Sequence, residues 1–446
     1  MSKIIKLCKG LDIRLQGEAA KTIVDAPRAA EYAVSPLDFE GVTPKVLVKV
    51  GDKVEAGSPL FFDKKRPEIL FTSPVSGTVA AVNRGEKRKV LSIVVTADEV
   101  TAYKQFSSLD LSKASREQII ELLLESGLWT MFVQRPYGVV ASPSDKPKAI
   151  FVSAFDSAPL ATDYNFALSA DHNALQKGFE VLGRLTDGKV HLSYNAKGEK
   201  PEIKGVELHA FKGKHPAGNV GVQIHHIDPI NKGEKVWTLN IQDVAILGRL
   251  FLTGKVDMSR VIAVAGSCVA EPKYYRVVAG ASIDSILNGK LSNEHARVIS
   301  GNVLTGRAVE KSGFLGVNAN QITVIPEGDD YELLGWAMPR FSKFSVSRSY
   351  FSWLFPSRKY NLDTNTNGGE RAFVMSDLYD KYLPMDVYPA YLIKACLAND
   401  LDKMENLGIY EVVEEDLALC EFVCPSKIEF QQIIRNGINL MMKEEE

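Results

Sequence analysis

A run of short apolar segments, separated by turns that contain Gly or Pro, occupies residues 45–96 and constrains the fold more than any other feature of the chain. Its central part, residues 46–82, reads VLVKVGDKVEAGSPLFFDKKRPEILFTSPVSGTVAAV. Short strands joined by such turns are typical of a β-barrel or β-sandwich. The predicted strands, within a barrel region of residues 1–105, are 45–50, 60–62, 69–72, 77–82 and 90–96.

Length and composition predict a cytoplasmic chain of several domains. A chain of 446 residues is too long for one hydrophobic core. Its 53 Lys and Arg residues are balanced by 55 Asp and Glu residues, so nucleic acid is not an expected partner. No apolar run has the length of a transmembrane helix, and we expect no secretory signal. The five cysteines are too scattered for a disulfide framework, which fits a reducing compartment.

Residues 106–256 have the element order of a Rossmann-like α/β domain, because predicted helices and strands alternate there. The predicted helices are 111–127, 173–185 and 240–252, and the predicted strands are 149–154 and 189–193. In the first helix, Ser112 is the expected N-cap, Ser115 and Gln118 have the spacing of a capping box, and Gly127 is the expected C-terminal glycine.

The rest of the chain is predicted to form three further parts. Residues 257–335 form a smaller α+β module with strands at 260–269 and 296–300, and residues 336–374 form a connecting segment. Residues 375–446 form a helical domain, because helical apolar spacing recurs there. Its predicted helices are 391–399, 400–407 and 427–442.

The barrel region resembles a biotinyl/lipoyl carrier domain in the runs V-x-V-G-D-x-V-x-x-G-x-P-L and P-V-S-G-x-V. In such domains one hairpin presents a modified lysine, and Lys64 and Lys65 follow Asp63 at the corresponding hairpin. The spacing from Asp63 to the following proline turn departs from the carrier pattern, and Arg66-Pro67 alters the tip. We therefore expect no covalent modification at Lys64 or Lys65. A carrier with a modified lysine is the less favoured alternative.

Residues 126–138 resemble the glycine-rich loop S-G-L-R-G-R-G-G-A-G-F-P-T-G of the NADH-binding flavoprotein subunit of complex I, and the matching loop of the C-subunit of the Rnf complex. Glycines in those loops let the backbone approach the flavin and the nucleotide phosphates. In this chain Trp129, Met131, Phe132 and Gln134 occupy the glycine-rich stretch, so we infer that flavin and NADH binding has been lost. Either Trp129 and Phe132 plug the old pocket, or the remaining apolar pocket accepts a quinone ring.

The C-terminal region contains the end of an iron–sulfur pattern. Cys420 and Cys424-Pro425 match the last part of C-x-x-C-x-x-C-x-x-x-C-P, but Glu414 and Leu417 occupy the first two cysteine positions. We therefore interpret Cys420 and Cys424 as buried small hydrophobic side chains that hold no metal. A cluster shared with another subunit is the alternative.

The histidines give no metal signal in the sequence. His215, His225 and His226 lie in a stretch rich in Gly and Pro, which we predict to be a structural loop. Their spacing does not match the usual arrangement of metal ligands. Motifs for phosphate binding or hydrolysis do not occur either.

Residues 340–360 contain seven aromatic and five basic residues and no acid. Aromatic rings and cations suit the surface of a membrane or of a membrane subunit. The hypothetical contact residues are Phe344, Arg348, Trp353 and Phe355. An equally weighted interpretation is a partly buried linker that packs between domains.

The whole chain resembles the A-subunit family of the bacterial Na⁺-translocating NADH:quinone oxidoreductases. The strings that carry the resemblance are Lys9-Gly-Leu-Asp-Ile, Asp63-Lys-Lys-Arg-Pro, Glu125-Ser-Gly-Leu-Trp-Thr, His215-Pro-Ala-Gly, Phe251-Leu-Thr-Gly, Gly335-Trp-Ala-Met-Pro, Lys343-Phe-Ser-Val and Phe422-Val-Cys-Pro. The resemblance implies the domain order barrel, Rossmann-like domain, soluble-ligand-binding β-grasp module and helical domain.

This resemblance also implies a peripheral subunit on the cytoplasmic side of the bacterial inner membrane, in a complex of six proteins. Such a complex passes electrons from NADH to ubiquinone and moves Na⁺ across the membrane. NADH, the flavins and a 2Fe–2S centre belong to other subunits, whereas the A-subunit binds no cofactor tightly but is associated with ubiquinone as substrate. The expected partner is a membrane-embedded, quinone-related subunit, and contact with the membrane is expected only through partners.

A hypothesis for individual residues follows. A quinone needs an apolar slot for its ring and polar groups at its carbonyl oxygens. Trp129 and Phe132 would stack on the ring, and Arg135 would donate to a carbonyl or stabilise a developing anion. The alternative function is a cofactor-free scaffold that caps the membrane subunits and has no quinone site of its own.

Overall fold

The computed structural model describes residues 4–329, 332–335 and 337–445. Several positions covered by the sequence predictions, including Trp336 of the Gly335 string, lie outside the described residues: 1–3, 330, 331, 336 and 446.

Twenty strands, numbered in chain order, occur among the described residues. They are β1 Ile4–Lys6, β2 Ala20–Asp25, β3 Glu31–Val34, β4 Pro44–Val46, β5 Lys53–Val54, β6 Pro59–Asp63, β7 Arg66–Thr72, β8 Gly77–Arg84, β9 Val90–Ala97, β10 Val133–Arg135, β11 Val139–Val140, β12 Ala149–Ser153, β13 Lys189–Asn195, β14 Glu207–Lys212, β15 Val236–Asn240, β16 Ser259–Ala265, β17 Lys273–Val278, β18 Ala296–Ser300, β19 Arg307–Val309 and β20 Gln321–Pro326.

The α-helices of the same residues are α1 Arg116–Glu125, α2 Tyr164–Ala167, α3 His172–Leu185, α4 Val220–Ile227, α5 Ile241–Thr253, α6 Ile283–Leu287, α7 Pro389–Leu397, α8 Leu401–Asn406, α9 Glu414–Val423 and α10 Phe430–Glu445. Short 3₁₀ helices occur at Pro36–Asp38, Glu86–Arg88, Leu128–Met131, Phe351–Leu354, Tyr379–Lys381 and Ile409–Glu411.

Two small antiparallel sheets, in the orders β3-β9-β8-β5 and β4-β6-β7, form the N-terminal unit. Alternate side chains of their strands, such as Leu60, Ile69 and Ile93, are fully buried between them. The predicted strand at 45–50 is longer than the observed β4, which ends at Val46, whereas the turn at Gly51, with a positive φ of 95°, lies five residues further on. The other predicted strands of this unit overlap the observed ones.

The first 25 residues pair outside these two sheets. Strand β1 lies parallel to β14, and β2 lies parallel to β17. The predicted first domain of residues 1–105 therefore includes two strands that belong to other sheets. Pairing between strands so distant in sequence leaves no local pattern that could predict it.

A large sheet in the order β1-β14-β13-β12-β15-β10-β11 forms the centre of the molecule. The first five strands in this order are parallel to one another. Strand β10 is antiparallel to β15, and β11 is antiparallel to β10. Ile150 and Val152 pack with the helices α3 and α5 on one face, whereas Phe151 packs with Ile224 of α4 on the other. Burial on both faces explains why β12 is apolar from Ala149 to Val152.

Helix α1 begins later than predicted. Ser115 is the N-cap, and the Ser115 and Gln118 side chains form a reciprocal capping box. Ser112, the expected N-cap, instead hydrogen-bonds Asp110 within a turn. Gly127 follows the helix with a φ of 76°, as predicted for a C-terminal glycine.

A mixed sheet in the order β19-β18-β20-β16-β17-β2 forms the third unit. Strand β16 ends at Ala265 rather than at the predicted residue 269. The reason is Gly266, which has a φ of 117° and lies so close to the Val324 backbone that a Cβ would come within 2.0 Å of the Val324 carbonyl oxygen.

Helices α7 to α10 pack around a separate apolar core that includes Leu392, Leu417, Phe430 and Ile434. Helices α7, α8 and α10 overlap the predicted helices, whereas α9 was not predicted as a helix. Three consecutive acids, Glu414 to Asp416, begin α9, where negative charge is favourable next to the helix dipole.

Candidate functional site

A cleft of about 500 Å³ opens at the carboxyl ends of β12 and β15. From β12 the sheet continues through β13 and β14 on one side and through β15 on the other. Ligands of open α/β sheets bind where the strand order reverses in this way. The position of the cleft therefore makes it the candidate functional site.

The walls of the cleft come from several parts of the chain. Residues at the strand ends and in the loops that follow them are Ser153, Phe155, Asp156, Tyr164, His215, Gly218, Asn219, Thr238, Leu239, Asn240 and Asp243. The loop at 126–138 contributes Thr130, Met131, Val133, Arg135 and Gly138. The third unit and the helical region contribute Asn302, Leu304, Thr305, Asn318, Val413, Glu414, Glu415, Gln431 and Arg435.

The loop at 126–138 presents only one of its faces to the cleft. Its 3₁₀ turn leads into β10, where successive side chains point to opposite sides. Val133 and Arg135 line the cleft, whereas Phe132 and Gln134 lie on the other side. This alternation can be read from the sequence once β10 is recognised as a strand.

Trp129 and Phe132 pack inside the protein. Both side chains are fully buried, and their rings stack with centroids 4.9 Å apart. Each ring also meets Trp237 of β15 edge to face, at 5.3 and 5.7 Å. Trp129 Nε1 donates a hydrogen bond to the Ala141 carbonyl oxygen at 2.8 Å. This arrangement fits the plug interpretation, and a quinone ring would have to displace these contacts in order to stack.

Arg135 lies at the cleft and is paired with acids of α9. Its guanidinium, which is buried, donates to Asp416 Oδ2 at 2.8 Å and to the Glu415 carboxylate. The carboxylates of Asp416 and Glu415 raise the pKa of Arg135 against the opposing effect of burial. Arg435 of α10 forms a similar pair with Glu414 and also donates to the Tyr137 carbonyl oxygen at 2.8 Å. These two arginines bind the loop to the helical region.

His215 places a buried imidazole at the cleft, a role that the sequence did not indicate. Its Nδ1 lies 3.0 Å from Ser157 Oγ, which also accepts a hydrogen bond from the Gly218 amide. Its Nε2 is buried and has no hydrogen-bond partner among the described residues. Burial lowers the pKa of His215 to about 4, so the ring is neutral at pH 7.

Several acids around the cleft also have shifted pKa values. Burial raises the pKa of Asp156, and two backbone amides oppose the shift. Burial raises the pKa of Asp243, and Arg260 at 3.0 Å opposes it. Burial raises the pKa of Glu415 to about 7, although Arg135 opposes the shift and 40% of the side chain is exposed. At neutral pH the cleft therefore combines a neutral imidazole with Glu415, whose pKa is raised to about 7.

The hairpin with Lys64 and Lys65 is tied to the rest of the molecule. Both lysines are exposed at the turn between β6 and β7. The buried Asp63 carboxylate accepts from the amides of Thr43 and Lys65. Arg66 donates to the Val140 carbonyl oxygen at 2.6 Å. Whether either lysine is modified stays a prediction, but Arg66, next to the turn, fixes this hairpin to the strand β11.

Cys420 and Cys424 are fully buried beside Tyr379, whose hydroxyl lies 3.2 Å from Cys424 Sγ. Burial raises the pKa of the Cys420 thiol. The two other positions of the iron–sulfur pattern have structural roles, because Glu414 pairs with Arg435 and Leu417 is fully buried. The environment is that of packed thiols, as interpreted from the sequence.

Two of the three loop histidines lie in a helix rather than in the predicted loop. His225 and His226 occupy the last turn of α4, where His225 Nδ1 meets Glu411 Oε2 at 2.7 Å. The glycine-rich sequence forms a helix because Gly221 packs directly against Asp416, where a Cβ would lie 2.5 Å from Oδ1. His215 lies in the loop before α4, apart from these two rings.

The aromatic and basic segment at 340–360 is largely exposed. Trp353 and Phe355 are 48% and 50% exposed, and the Arg348 guanidinium lies 5.6 Å from the centroid of the Trp353 ring. Phe344 is partly buried, with its ring against Tyr360 and Phe422. Three of the four predicted contact residues thus form a surface, and Phe344 anchors the segment beneath it.

The chain matches three sequence profiles of one protein family. Residues 5–98 match the NqrA N-terminal barrel-sandwich hybrid domain, and residues 114–256 match the NqrA second alpha/beta domain. Residues 261–311 match the domain described as the NQRA C-terminal domain. These matches confirm the predicted barrel-type first unit and the α/β character of the second.

Curated relatives agree with the profiles along the whole chain. The chain is 40% identical to the A-subunit of the Na(+)-translocating NADH-quinone reductase of Cellvibrio japonicus and to that of Hahella chejuensis, over 99% of this chain and 100% of each relative. It is 39% identical to the corresponding subunit of Rhodopirellula baltica, over 99% of this chain and 98% of the relative.

Among solved structures, an NAD+-reducing [NiFe]-hydrogenase aligns with a TM-score of 0.38 and 10% identity, over 75% of this chain and 64% of that chain. A likeness at this level is too weak to support any conclusion. Every helix in the described part of the chain is too short or too polar to cross a membrane. Full-length identity and the three profile matches confirm the resemblance, so this chain belongs to the A-subunit family of the Na⁺-translocating NADH-quinone reductases and is one subunit of that oxidoreductase complex.

Proposed function

We propose that this subunit serves the quinone-reduction step of its complex and that the cleft at the carboxyl edge of the large sheet receives the ubiquinone ring. The observation that carries the proposal is His215, a residue that lines the cleft and whose buried Nε2 has no partner among the described residues. A buried polar atom without a partner is costly unless a ligand satisfies it. A quinone carbonyl oxygen is a suitable acceptor when His215 carries its proton on Nε2.

The shape and lining of the cleft support this role. Its volume of about 500 Å³ lies within the usual range of small-molecule sites. Met131, Val133 and Leu239 offer apolar contact to a ring. Asn240, at the end of β15, caps α5 with its amide oxygen and donates to the Tyr164 hydroxyl, so only its second N–H is left for a ligand. Arg135 contributes positive potential next to the carbonyl position, although its hydrogen bonds go to α9. In this proposal Trp129 and Phe132 form the rigid layer behind the ring.

Reduction of ubiquinone to ubiquinol consumes two electrons and two protons. This chain would supply positions for the ring and the protons, whereas the electrons arrive from other subunits. We propose that NADH, the flavins and the 2Fe–2S centre are bound by those subunits, because bulky residues replace the glycines of the loop at 126–138. Glu415, whose pKa is raised to about 7, is suited to exchange protons at the cleft.

The exposed segment at 340–360 is the proposed contact with the complex. We propose that Arg348, Trp353 and Phe355 dock on a membrane-embedded, quinone-related subunit, one of the partners in a complex of six proteins. The subunit would then lie peripherally on the cytoplasmic side of the bacterial inner membrane and touch the membrane only through its partners. Exposed aromatic side chains next to a cation are typical of interface anchors.

For the fold, we propose that the large sheet with helices on both faces is Rossmann-like and that the mixed sheet belongs to a β-grasp module. The strand order around β12 supports the first assignment. The domain boundaries that we propose are 1–105, 106–256, 257–335, 336–374 and 375–446.

Calorimetric titration of the purified full-length chain with ubiquinone-1 tests the quinone site. We expect saturable binding, weakened at least about tenfold, or about 1.4 kcal/mol, by His215→Asn. The matched control is His172→Asn, which alters an exposed histidine of α3 outside the cleft. Absence of saturable binding by the folded chain, or equal binding by both variants, would contradict the proposal.

The second candidate is a cofactor-free scaffold, which the fully packed Trp129 and Phe132 rings favour. The discriminating experiment is purification of the complex with the double variant Trp353→Ala/Phe355→Ala. If the chain is a scaffold, the double variant should lose its partner subunits on purification. Ubiquinone-1 titration of the isolated chain should then show no binding. The matched control is Tyr388→Ala/Tyr391→Ala, an aromatic pair that is equally exposed on and next to α7.

A further inference from the structure

Three potential metal ligands come together on the large sheet, away from the cleft. His191 lies on β13, and Glu207 and His209 lie on the neighbouring strand β14. One ligand atom from each residue lies within 4.8 Å of the other two. The cleft is lined at the carboxyl ends of β12 and β15, and none of these three residues belongs to its lining.

The register of the sheet explains why the three side chains meet. His191 is paired with Glu207, and Ser193 is paired with His209, in parallel strands. Side chains two residues apart on a strand point to the same face, and paired residues share that face. His191, Glu207 and His209 therefore project from one face of two adjacent strands, which hold them in a fixed relation.

The distances fit a common ion. His191 Nδ1 lies 2.9 Å from His209 Nε2 and 3.7 Å from Glu207 Oε2. Ligands bound to Zn²⁺ at about 2.0–2.2 Å in a tetrahedron are separated by about 3.3 Å. These two separations lie on either side of that value, and the third, between Glu207 and His209, is within 4.8 Å, so rotations of the side chains can direct all three atoms at one point.

The surroundings favour neutral imidazoles with fixed orientations. The His191 ring stacks on Phe151 with centroids 4.6 Å apart. Burial lowers the pKa of both His191 and His209, so both rings are unprotonated at pH 7. A proton now shared in the His191–His209 hydrogen bond can move to the far nitrogen of its ring, which leaves both facing nitrogens as donors to a metal.

The charges near the cluster are balanced. Glu207 also pairs with Lys189 at 2.5 Å, and this pair competes with a metal for the carboxylate. Asp228 adds negative potential at His191, although it is itself paired with Lys148 at 2.7 Å. Glu207 has two oxygens, so Lys189 can keep Oε1 while Oε2 faces the imidazoles.

We propose that His191, Glu207 and His209 form a binding site for one divalent first-row transition ion, with Zn²⁺ as its simplest occupant. Two imidazole nitrogens and one carboxylate oxygen suit Zn²⁺, Co²⁺, Ni²⁺ and Cu²⁺ rather than Mg²⁺ or Ca²⁺. Three protein ligands leave a coordination position for water or for a group from a partner. The ion would join β13 to β14 and fix the connection at residues 196–206. The proposal does not depend on the quinone site.

Calorimetric titration of the full-length chain with Zn²⁺ in a non-coordinating buffer tests the site, in a Cys8→Ser background that removes an exposed thiol. We expect one Zn²⁺ per chain, and a loss of at least about tenfold in affinity in His209→Gln and in Glu207→Gln. The matched control is His295→Gln, which alters an exposed histidine paired with Asp329 and should leave binding unchanged.

Cu²⁺ supplies a second readout, because its electron paramagnetic resonance spectrum reports nitrogen ligands. We expect a two-nitrogen spectrum in the parent chain and a one-nitrogen spectrum in His209→Gln. Glu207 is exposed and His209 half-buried, so these variants test the site even if a variant at the buried His191 fails to fold. Absence of stoichiometric Zn²⁺ binding, or equal affinity in His209→Gln and His295→Gln, overturns the proposal.

Discussion

The two faces of the loop at 126–138 differ in what their side chains contact. Trp129 and Phe132 face inward, stack on each other and meet Trp237, so their surfaces are fully used by the core. Val133 and Arg135 face the cleft, where one is partly exposed and the other bridges to α9. The largest rings of this loop therefore stabilise the fold, whereas its smaller and charged side chains are placed to meet a ligand or another domain.

A substitution on the inward face of the loop should have the largest effect on stability. Trp129→Ala should lower the free energy of unfolding by about 4–5 kcal/mol, because it leaves a cavity against Phe132 and Trp237 and removes the hydrogen bond to the Ala141 carbonyl. Urea unfolding followed by circular dichroism measures this loss. Trp129→Phe, which retains most of the packing, should cost much less, and equal losses in the two variants would contradict the role of the ring as core.

Arg135 lines the cleft, but its guanidinium pairs with acids in the interior. Arg135→Ala should cost about 3–4 kcal/mol, because it leaves the fully buried Asp416 carboxylate without its guanidinium. The double variant Arg135→Met/Asp416→Leu should recover part of this loss, since it removes the orphaned charge as well. If the single variant unfolds at the same urea concentration as the parent chain, the ion pair does not stabilise the fold.

His215 should make the stability of the folded chain depend on pH. Its pKa is lowered by burial to about 4 in the folded chain and is about 6.5 when unfolded, so the unfolded chain binds the proton first as the pH falls. The stability contributed by neutral His215 is therefore fully present above about pH 6.5 and is lost as the pH falls toward 4. Between pH 7 and pH 5 the loss should reach about 2 kcal/mol.

Urea unfolding of the parent chain and of His215→Gln at pH 7 and pH 5 checks this prediction. The parent chain should lose about 2 kcal/mol more than the variant over that interval. His172→Gln, which alters an exposed histidine, should follow the parent chain. Glu415, with a pKa raised to about 7, contributes with the opposite sign in the same interval, so only the difference between variants is diagnostic.

The cleft-facing Val133 should give the smallest effect on stability. Val133→Ala should cost less than about 1 kcal/mol, because the side chain is already partly exposed. If the proposed quinone site is correct, the same change should weaken ubiquinone-1 binding several-fold in calorimetry. Val139→Ala, on the adjacent strand and buried outside the cleft, should show the reverse pattern, with a stability loss and unchanged binding.

Much of the local structure was predictable because its causes are local. The short strands between residues 59 and 97, the helix α1 that ends shortly before Gly127 and the buried strand β12 follow from turn residues and apolar spacing. Ser112 was the wrong N-cap because two serines compete there, and only Ser115 has Gln118 three residues later to complete the capping box. Helix α4 was missed because Gly221 suggests a loop unless Asp416 is known to lie against it.

The candidate site was only partly predictable. The sequence singled out the loop at 126–138 by its resemblance to a glycine-rich loop, and residues of this loop do line the cleft. It did not identify His215 as a cleft residue, since nothing in its neighbourhood shows that Nε2 is buried at the ends of β12 and β15. The cluster of His191, Glu207 and His209 was missed for the same reason, because it depends on the register of two strands.

The sequence by itself determined the family, the barrel-type first unit and the α/β character of the second, because these depend on residue types at fixed spacings. Only the tertiary structure decided which side of the loop at 126–138 meets the cleft, that β1 and β2 join distant sheets, and that α9 supplies the acids paired with Arg135. Contacts between residues hundreds of positions apart are set by how whole units pack, and no spacing within the chain records them.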